Sequence, residues 1–301
     1  MKNWKSVFLG GISGGALLMQ QQSEGAVTVY GEATSTGPTI NVNVYADIVN
    51  DALMSFGVNL SYSPTDLYVL SARKNTNVWY MAASGVQYDY ADPDTSVAGQ
   101  VRILGGRLDG SNPLQGVTGT NVLLGTVSFG RLTHNTPTFS LALAHATDFA
   151  NFVTTNGNVL DSGSGSATLT AVSPDPNDTK LVGIPDWWQL QYFGSIGTIW
   201  WSDDPDGDGF NNLQEYEADT NPTNRASFLG MSGASRSGPN VTVSWHGGVQ
   251  ATQVLQRSFS LGSSTLWVNI FTNLPPTLIN ASYVDVLGGG QSAYYRVMAH
   301  R

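Results

Sequence analysis

The chain of 301 residues has no cysteine. Without it there is no disulfide, no thiol nucleophile, no cysteine-bound zinc and no cysteine-held iron–sulfur cluster. Charge is also scarce. Asp, Glu, Lys and Arg make up 12% of the residues, about half the usual share of roughly 25%. What charge there is runs acidic, with a formal net charge of −9 and no basic run. Nucleic acid and anionic membrane surfaces are poor partners for such a chain. There are four histidines, His134, His145, His246 and His300. No two of them have zinc-site spacing, and no H-E-x-x-H is present. His145 follows Leu141 and Leu143 on an expected strand and reads as a sheet-face residue. After residue 25 there is no G-x-S-x-G elbow and no phosphate-cradling loop, and no apolar run is long enough to span a bilayer.

Gly, Ser, Thr and Asn fill the place of charge, as suits exposed sheet faces and turns. The length predicts two or three domains, because a single core rarely grows beyond about 250–300 residues. Residues 1–25 have the form of a signal peptide: Lys2 and Lys5, then an uncharged apolar run from Val7 to Met19, then small residues at Ser23 to Gly25. The mature chain is expected to be secreted and to hold no stable place in a membrane.

Residues 26–172 alternate as strands do. Ile40, Val42 and Val44 share a face, as do Phe56, Val58, Leu60 and Tyr62, and Phe139, Leu141 and Leu143. Leu67–Ala72, Val78–Met81, Val101–Leu108, Val122–Arg131 and Ala167–Val172 are further strands. Eight or nine antiparallel strands of this kind predict a jelly-roll sandwich. Residues 226–301 alternate again at Val241, Val243 and Trp245. With Val254–Arg257, Trp267–Ile270, Tyr283–Val286 and Tyr294–Met298, they predict a small fibronectin-like β-sandwich.

Residues 173–225 differ. Pro185 can open a helix, and the apolar Trp187, Trp188, Leu190, Tyr192 and Phe193 follow, a helix expected to bury most of its surface. Next comes Asp204-Pro205-Asp206-Gly207-Asp208-Gly209-Phe210-Asn211-Asn212-Leu213-Gln214-Glu215. It fits the calcium-loop pattern D-x-[DN]-x-[DN]-G-x5-E at every constrained position. Calcium takes six to eight oxygens. Asp204, Asp206 and Asp208 offer carboxylates at alternate positions. Gly209 allows the sharp turn, and the Phe210 carbonyl, the Asn212 side chain and Glu215 would close the shell. A second helix should begin near Asn211 and end before Thr220-Asn221-Pro222.

A second, damaged loop precedes it. Asp178 aligns with the first ligand, Gly183 with the turn glycine and Asp186 with the ninth position. Lys180, Val182 and Gln189 replace the third, fifth and twelfth ligands, so this loop is not expected to bind calcium.

With these residues in view, Gly183–Trp188, Asp204–Tyr216 and Thr220–Thr223 resemble the calcium segment shared by dockerins and thrombospondin type 3 repeats. The resemblance implies calcium-dependent folding and the ligand set Asp204, Asp206, Asp208, Phe210, Asn212 and Glu215. Val42–Ile48, Ser55–Tyr62 and Leu123–Arg131 are similar to cohesin-like sandwiches, which implies a binding module without catalytic residues. The remaining cluster is Tyr88, Asp89, Tyr90, Asp92 and Asp94. Carboxylates and tyrosines there could grip a sugar, hold a cation or serve glycoside cleavage, or form only a polar rim loop. The chain as a whole reads as a secreted, non-enzymatic, calcium-stabilised adhesion or scaffolding protein whose partner is a polysaccharide or another extracellular protein. A carbohydrate-binding accessory module and a glycan-active enzyme are the alternatives.

Overall fold

The computed structural model describes residues 26–79, 93–107, 115–144, 152–157, 160, 166–262, 265–287 and 292–301. The expected signal peptide lies outside the described residues, as do His145 and Tyr88, Asp89, Tyr90 and Asp92. Among the described residues no helix is long and apolar enough to cross a membrane.

Eight strands form the first unit: β1 Ala26–Thr36, β2 Thr39–Tyr62, β3 Leu67–Lys74, β4 Gln100–Gly106, β5 Val117–Arg131, β6 Phe139–Leu143, β7 Val153–Thr154 and β8 Ser166–Pro174. The main path runs β3-β5-β2-β1-β8, and β4, β6 and β7 also pair with β2. Two strands expected around Ile40–Val44 and Phe56–Tyr62 are one strand of 24 residues. Its first half pairs with β1 and β5; its second half, from Leu53, pairs with β4, β6 and β7. Between the halves Asn50 sits at φ 71, and the register against β5 shifts between Ile48 and Leu53. This irregularity bends the strand from one layer of the sandwich into the other. Asn tolerates the left-handed conformation better than most side chains. The alternation places Ile40, Val42, Val44, Ala46 and Ile48 in the same core as Phe56, Val58 and Leu60.

Not every pairing is antiparallel as expected. β1 and β8 run parallel, which is possible because all the intervening strands serve as the crossover. Val78–Met81 does not begin as a strand either. Val78 and Trp79 close a turn on Asn75, where Trp79 N–H donates to the Asn75 carbonyl at 2.8 Å. The Trp79 indole is fully buried, donates to the Leu123 carbonyl at 3.0 Å and meets Phe56 edge-on.

The last unit is a sandwich of two three-stranded sheets. One is β13-β10-β9 and the other β12-β11-β14, built from β9 Gly230–Ser237, β10 Asn240–His246, β11 Thr252–Ser258, β12 Val268–Asn273, β13 Asn280–Val286 and β14 Tyr294–His300. Val241, Val243, Trp245, Leu255 and Leu287 fill the space between the sheets. Gln253, also buried, accepts the Trp245 indole N–H at 2.7 Å and so satisfies it.

Between the two sandwiches lie α1 Asp186–Phe193 and α2 Asn212–Ala218. Their core is small: Ile184, Trp188 and Ile199, flanked by Tyr192, Phe193, Trp201 and Tyr216. So small a core covers only one face of α1. The expectation that α1 buries most of its surface fails, since Trp187 and Leu190 are 47% and 53% exposed. The segment leans on both neighbours instead. Gly37 N–H donates to the Gly183 carbonyl at 3.4 Å on one side, and Gly248 N–H to the Ala218 carbonyl at 3.2 Å on the other.

Candidate calcium centre

Asp204 organises the loop before any ion is considered. Its carboxylate accepts the N–H groups of Gly207, Asp208 and Gly209 at 2.9, 3.3 and 3.0 Å. Asp206 accepts from Asp208 N–H, and Asp208 from Phe210 N–H at 2.8 Å. Gly207 and Gly209 take φ values of 69 and 98, a region side chains resist. The chain then enters α2 through a capping box in which the Asn211 side chain accepts Gln214 N–H and Gln214 reaches back to Asn211 N–H.

This folding gathers the carboxylates. Ligand atoms of Asp204, Asp206 and Asp208 lie within 4.8 Å of one another. Asn212 and Glu215, the first and fourth residues of α2, are fully buried. Asn212 uses its amide N–H on the Trp200 carbonyl at 2.8 Å, which fixes its oxygen as the free end. Glu215 keeps one oxygen on the Thr220 hydroxyl at 3.3 Å. The other ends meet nothing. One oxygen each of Asp206, Asp208, Asn212 and Glu215 is buried without a hydrogen-bond partner among the described residues. These are positions 3, 5, 9 and 12 of the loop. Other buried atoms of the protein also lack hydrogen-bond partners, among them the Arg131 guanidinium, but these four oxygens come from one loop beside the converged aspartates and are the donor type a hard cation takes.

The electrostatics agree. Burial, and then the charges of Asp206 and Asp208, push the Glu215 carboxyl up from 4.5 to about 8. Asp206 is also raised, by desolvation first and then by Asp208. A divalent cation among these groups would reverse both effects. Phe210, at position 7, stacks its ring on Phe228 at 5.7 Å.

The damaged loop has the same skeleton. Asp178 accepts Val182 N–H at 2.9 Å and Gly183 N–H at 2.8 Å. Asp204 takes the N–H groups of the matching positions, Asp208 and Gly209. Both helices start at the ninth position, Asp186 and Asn212. Both twelfth residues, Gln189 and Glu215, are fully buried. The internal repeat is therefore structural. Here, however, the oxygens are taken. Asp178 also accepts the Ser35 hydroxyl from β1, and Asp186 accepts the Thr179 N–H and hydroxyl. The Gln189 amide N–H donates at 2.8 Å to the carbonyl of Ile184, the seventh residue. In the intact loop a cation would join the seventh carbonyl to the twelfth side chain; here an amide hydrogen bond does so.

Of the tyrosine–aspartate cluster, Asp94 is described. It pairs with Arg102 through backbone hydrogen bonds at 2.8 and 2.9 Å. Its carboxylate caps Ser96, whose hydrogen bonds hold it below the usual carboxylate range. That is a turn-closing role. Sequence reading missed the residues that fasten the segment: Ser35, Asp219 and Arg301. Asp219 caps α2 and accepts Val249 and Gln250 N–H at 2.9 and 2.7 Å. A polar residue just past a helix end was the available signal.

No protein-family model matches the chain, and no curated protein matches it. Among solved structures it is similar to cohesin modules. One is the sixth cohesin of scaffoldin B from Acetivibrio cellulolyticus, solved in complex with a dockerin: 12% identity, TM-score 0.35, covering 50% of this chain and 98% of that one. Another is the cohesin module of a family 33 glycoside hydrolase from Clostridium perfringens: 10% identity, TM-score 0.34, covering 51% and 98%. A third is a cohesin from Clostridium acetobutylicum: 17% identity, TM-score 0.31, covering 50% and 94%.

Proposed function

We propose that this is a secreted, non-catalytic adhesion or scaffolding protein whose two sandwiches are joined by a calcium-clamped segment. The observation that carries the reading is the set of four unmet buried oxygens at positions 3, 5, 9 and 12. Asp204, Asp206, Asp208, the Phe210 carbonyl, Asn212 and Glu215 would hold the ion. Calcium would supply charge neutralisation and cross-linking, which a cysteine-free chain obtains in no covalent way. Its place is structural, because the ligands lie in a joint between domains. The acidic balance and the signal-like N-terminus support an extracellular setting, where calcium is abundant enough for weak sites with Kd of about 0.1–1 mM. The work of the protein is to hold a partner, an extracellular protein or a polysaccharide, on the exposed sheets. The test is a calcium titration of the chain without residues 1–25, followed by a pull-down and a polysaccharide-retention assay in calcium and in chelator. One bound calcium per chain and calcium-dependent retention are expected. No binding of calcium, or release of reducing ends from a polysaccharide, would overturn the reading.

A further inference from the structure

The middle segment is fastened to its two neighbours by different means. Toward the first sandwich, the Ser35 hydroxyl donates to Asp178, and Gly37 N–H donates to the Gly183 carbonyl. Arg131 lies over the Trp200 ring at 5.5 Å, and His134 stacks on the same ring at 5.1 Å. None of these side chains is among the six ligands, but Leu213 lies against Gly37 and the Trp200 carbonyl accepts the Asn212 amide N–H at 2.8 Å, so the ties independent of the ion loop are Ser35 to Asp178 and Gly37 to Gly183. The loop behind this attachment, built on Asp178 and Gln189, is closed by hydrogen bonds.

Toward the second sandwich, the ties hang on the ligand helix itself. Asp219, the C-cap of α2, accepts Val249 and Gln250 N–H and pairs with Arg301. Arg301 also donates to the Tyr216 carbonyl at 2.6 Å and lies over the Tyr216 and Trp187 rings at 5.0 and 5.2 Å. The backbones touch at Gly248, where a Cβ would stand 2.0 Å from the Asp219 carbonyl. At the other end of the loop, the ring of Phe210 is stacked on Phe228, which meets His246 edge-on at 4.6 Å. A helix of seven residues is far below the roughly 12–15 residues that a helix needs to persist alone. Two of those residues are Asn212 and Glu215. If the acidic ligands lose their cation and move apart, α2 loses its first turn, and the cap that grips the second sandwich goes with it.

We infer that calcium locks the C-terminal sandwich onto the middle segment, while the N-terminal sandwich stays fastened whether or not calcium is bound. The inference rests on the calcium reading above. The chain is then a two-state joint: rigid in calcium, and hinged at residues 220–229 without it. Linkage makes the coupling reciprocal, so weakening the Asp219–Arg301 clamp must weaken calcium binding.

Three measurements on the full chain test this. In isothermal titration, Arg301→Ala is expected to bind calcium about 3- to 10-fold more weakly than wild type; Asp219→Asn is the second variant if the first does not fold. Small-angle scattering is expected to show a larger radius of gyration in chelator. Limited proteolysis in chelator is expected to cut within 220–229 and release the last sandwich, leaving the first sandwich and α1 in one fragment. If wild type takes up one calcium but both shape and cleavage ignore the ion, the inference fails and the calcium site stands. Unchanged affinity in the clamp variants, or release of both sandwiches together, also overturns it. Absence of calcium binding in the wild type sinks the calcium reading and the inference with it.

Discussion

Chelation should lower the melting temperature, and the size of the effect follows from the loop. At the 4.8 Å span of the three aspartates, two like charges repel by about 3.5 kcal/mol at an effective dielectric of about 20. Full water screening reduces this to about 1 kcal/mol. Each buried oxygen left unmet adds a penalty of about 1–3 kcal/mol unless the loop relaxes. A bound calcium relieves both. At ten times Kd the gain is about 1.4 kcal/mol, and at a hundred times about 2.7 kcal/mol. For a protein of this size about 1 kcal/mol moves Tm by roughly 2–4 °C. In 10 mM calcium, with Kd of about 0.1–1 mM, the shift should be about 3–11 °C by differential scanning calorimetry. Glu215→Gln supplies the control. The Glu215 carboxyl is pushed up to about 8, so at pH 7 without calcium it is mostly protonated and glutamine resembles it closely. The variant should melt within about 2 °C of wild type in chelator and gain almost nothing from calcium. A wild-type Tm indifferent to calcium would rule out a stabilising ion in this loop, and a Glu215→Gln variant that responds as wild type does would rule out Glu215 as its ligand.

In chelator, stability should fall as pH rises from about 4.5 to about 8. Across that window the folded Glu215 carboxyl still holds a proton that the unfolded one has released, so folding is favoured at the low end. In saturating calcium the ionised ligand is preferred and this fall should flatten or reverse, as paired urea titrations at pH 5 and 8.5 would show. Asp178→Ala should destabilise the protein by about 2–4 kcal/mol, because the buried Val182 and Gly183 N–H groups and the Ser35 hydroxyl lose their acceptor. Its calcium stoichiometry should stay at one; a fall to zero would mean that the damaged loop shapes the intact one. Trp188→Ala removes the one fully buried aromatic of the segment and should cost about 3–5 kcal/mol in chemical denaturation. A loss below about 1 kcal/mol would show that the segment does not depend on its own core.

Strand alternation was readable in many strands with one face on a core, although β1, with Val27, Val29 and Ala33 buried, was missed. Val241, Val243 and Trp245 announce β10, and Ile40 to Ile48 announce the first half of β2. β9 was not readable because almost all of it is exposed; with no buried face, Gly230–Ser237 carries no period of two. The corner in β2 was not readable either. Val49–Asp51 looks like a turn between two strands, and only the partners of each half reveal one chain passing between layers. The convergence of Asp204, Asp206 and Asp208 was legible, since the three fall within five residues of one loop. The fastenings were not, because Ser35 to Asp178 and Asp219 to Arg301 are joined across 143 and 82 residues. The apolar stripe of α1 misled for a physical reason. Trp187 lies beneath the Arg301 guanidinium on the surface, where an aromatic face is useful without burial.

Whether the loop from Asp204 to Glu215 holds one structural calcium is decided by isothermal titration of calcium into the chelator-treated protein. A single site with Kd at or below about 1 mM is expected, abolished by Asp206→Asn combined with Glu215→Gln and retained in Asp178→Ala. No binding, two sites, or one site that survives the double substitution would contradict it.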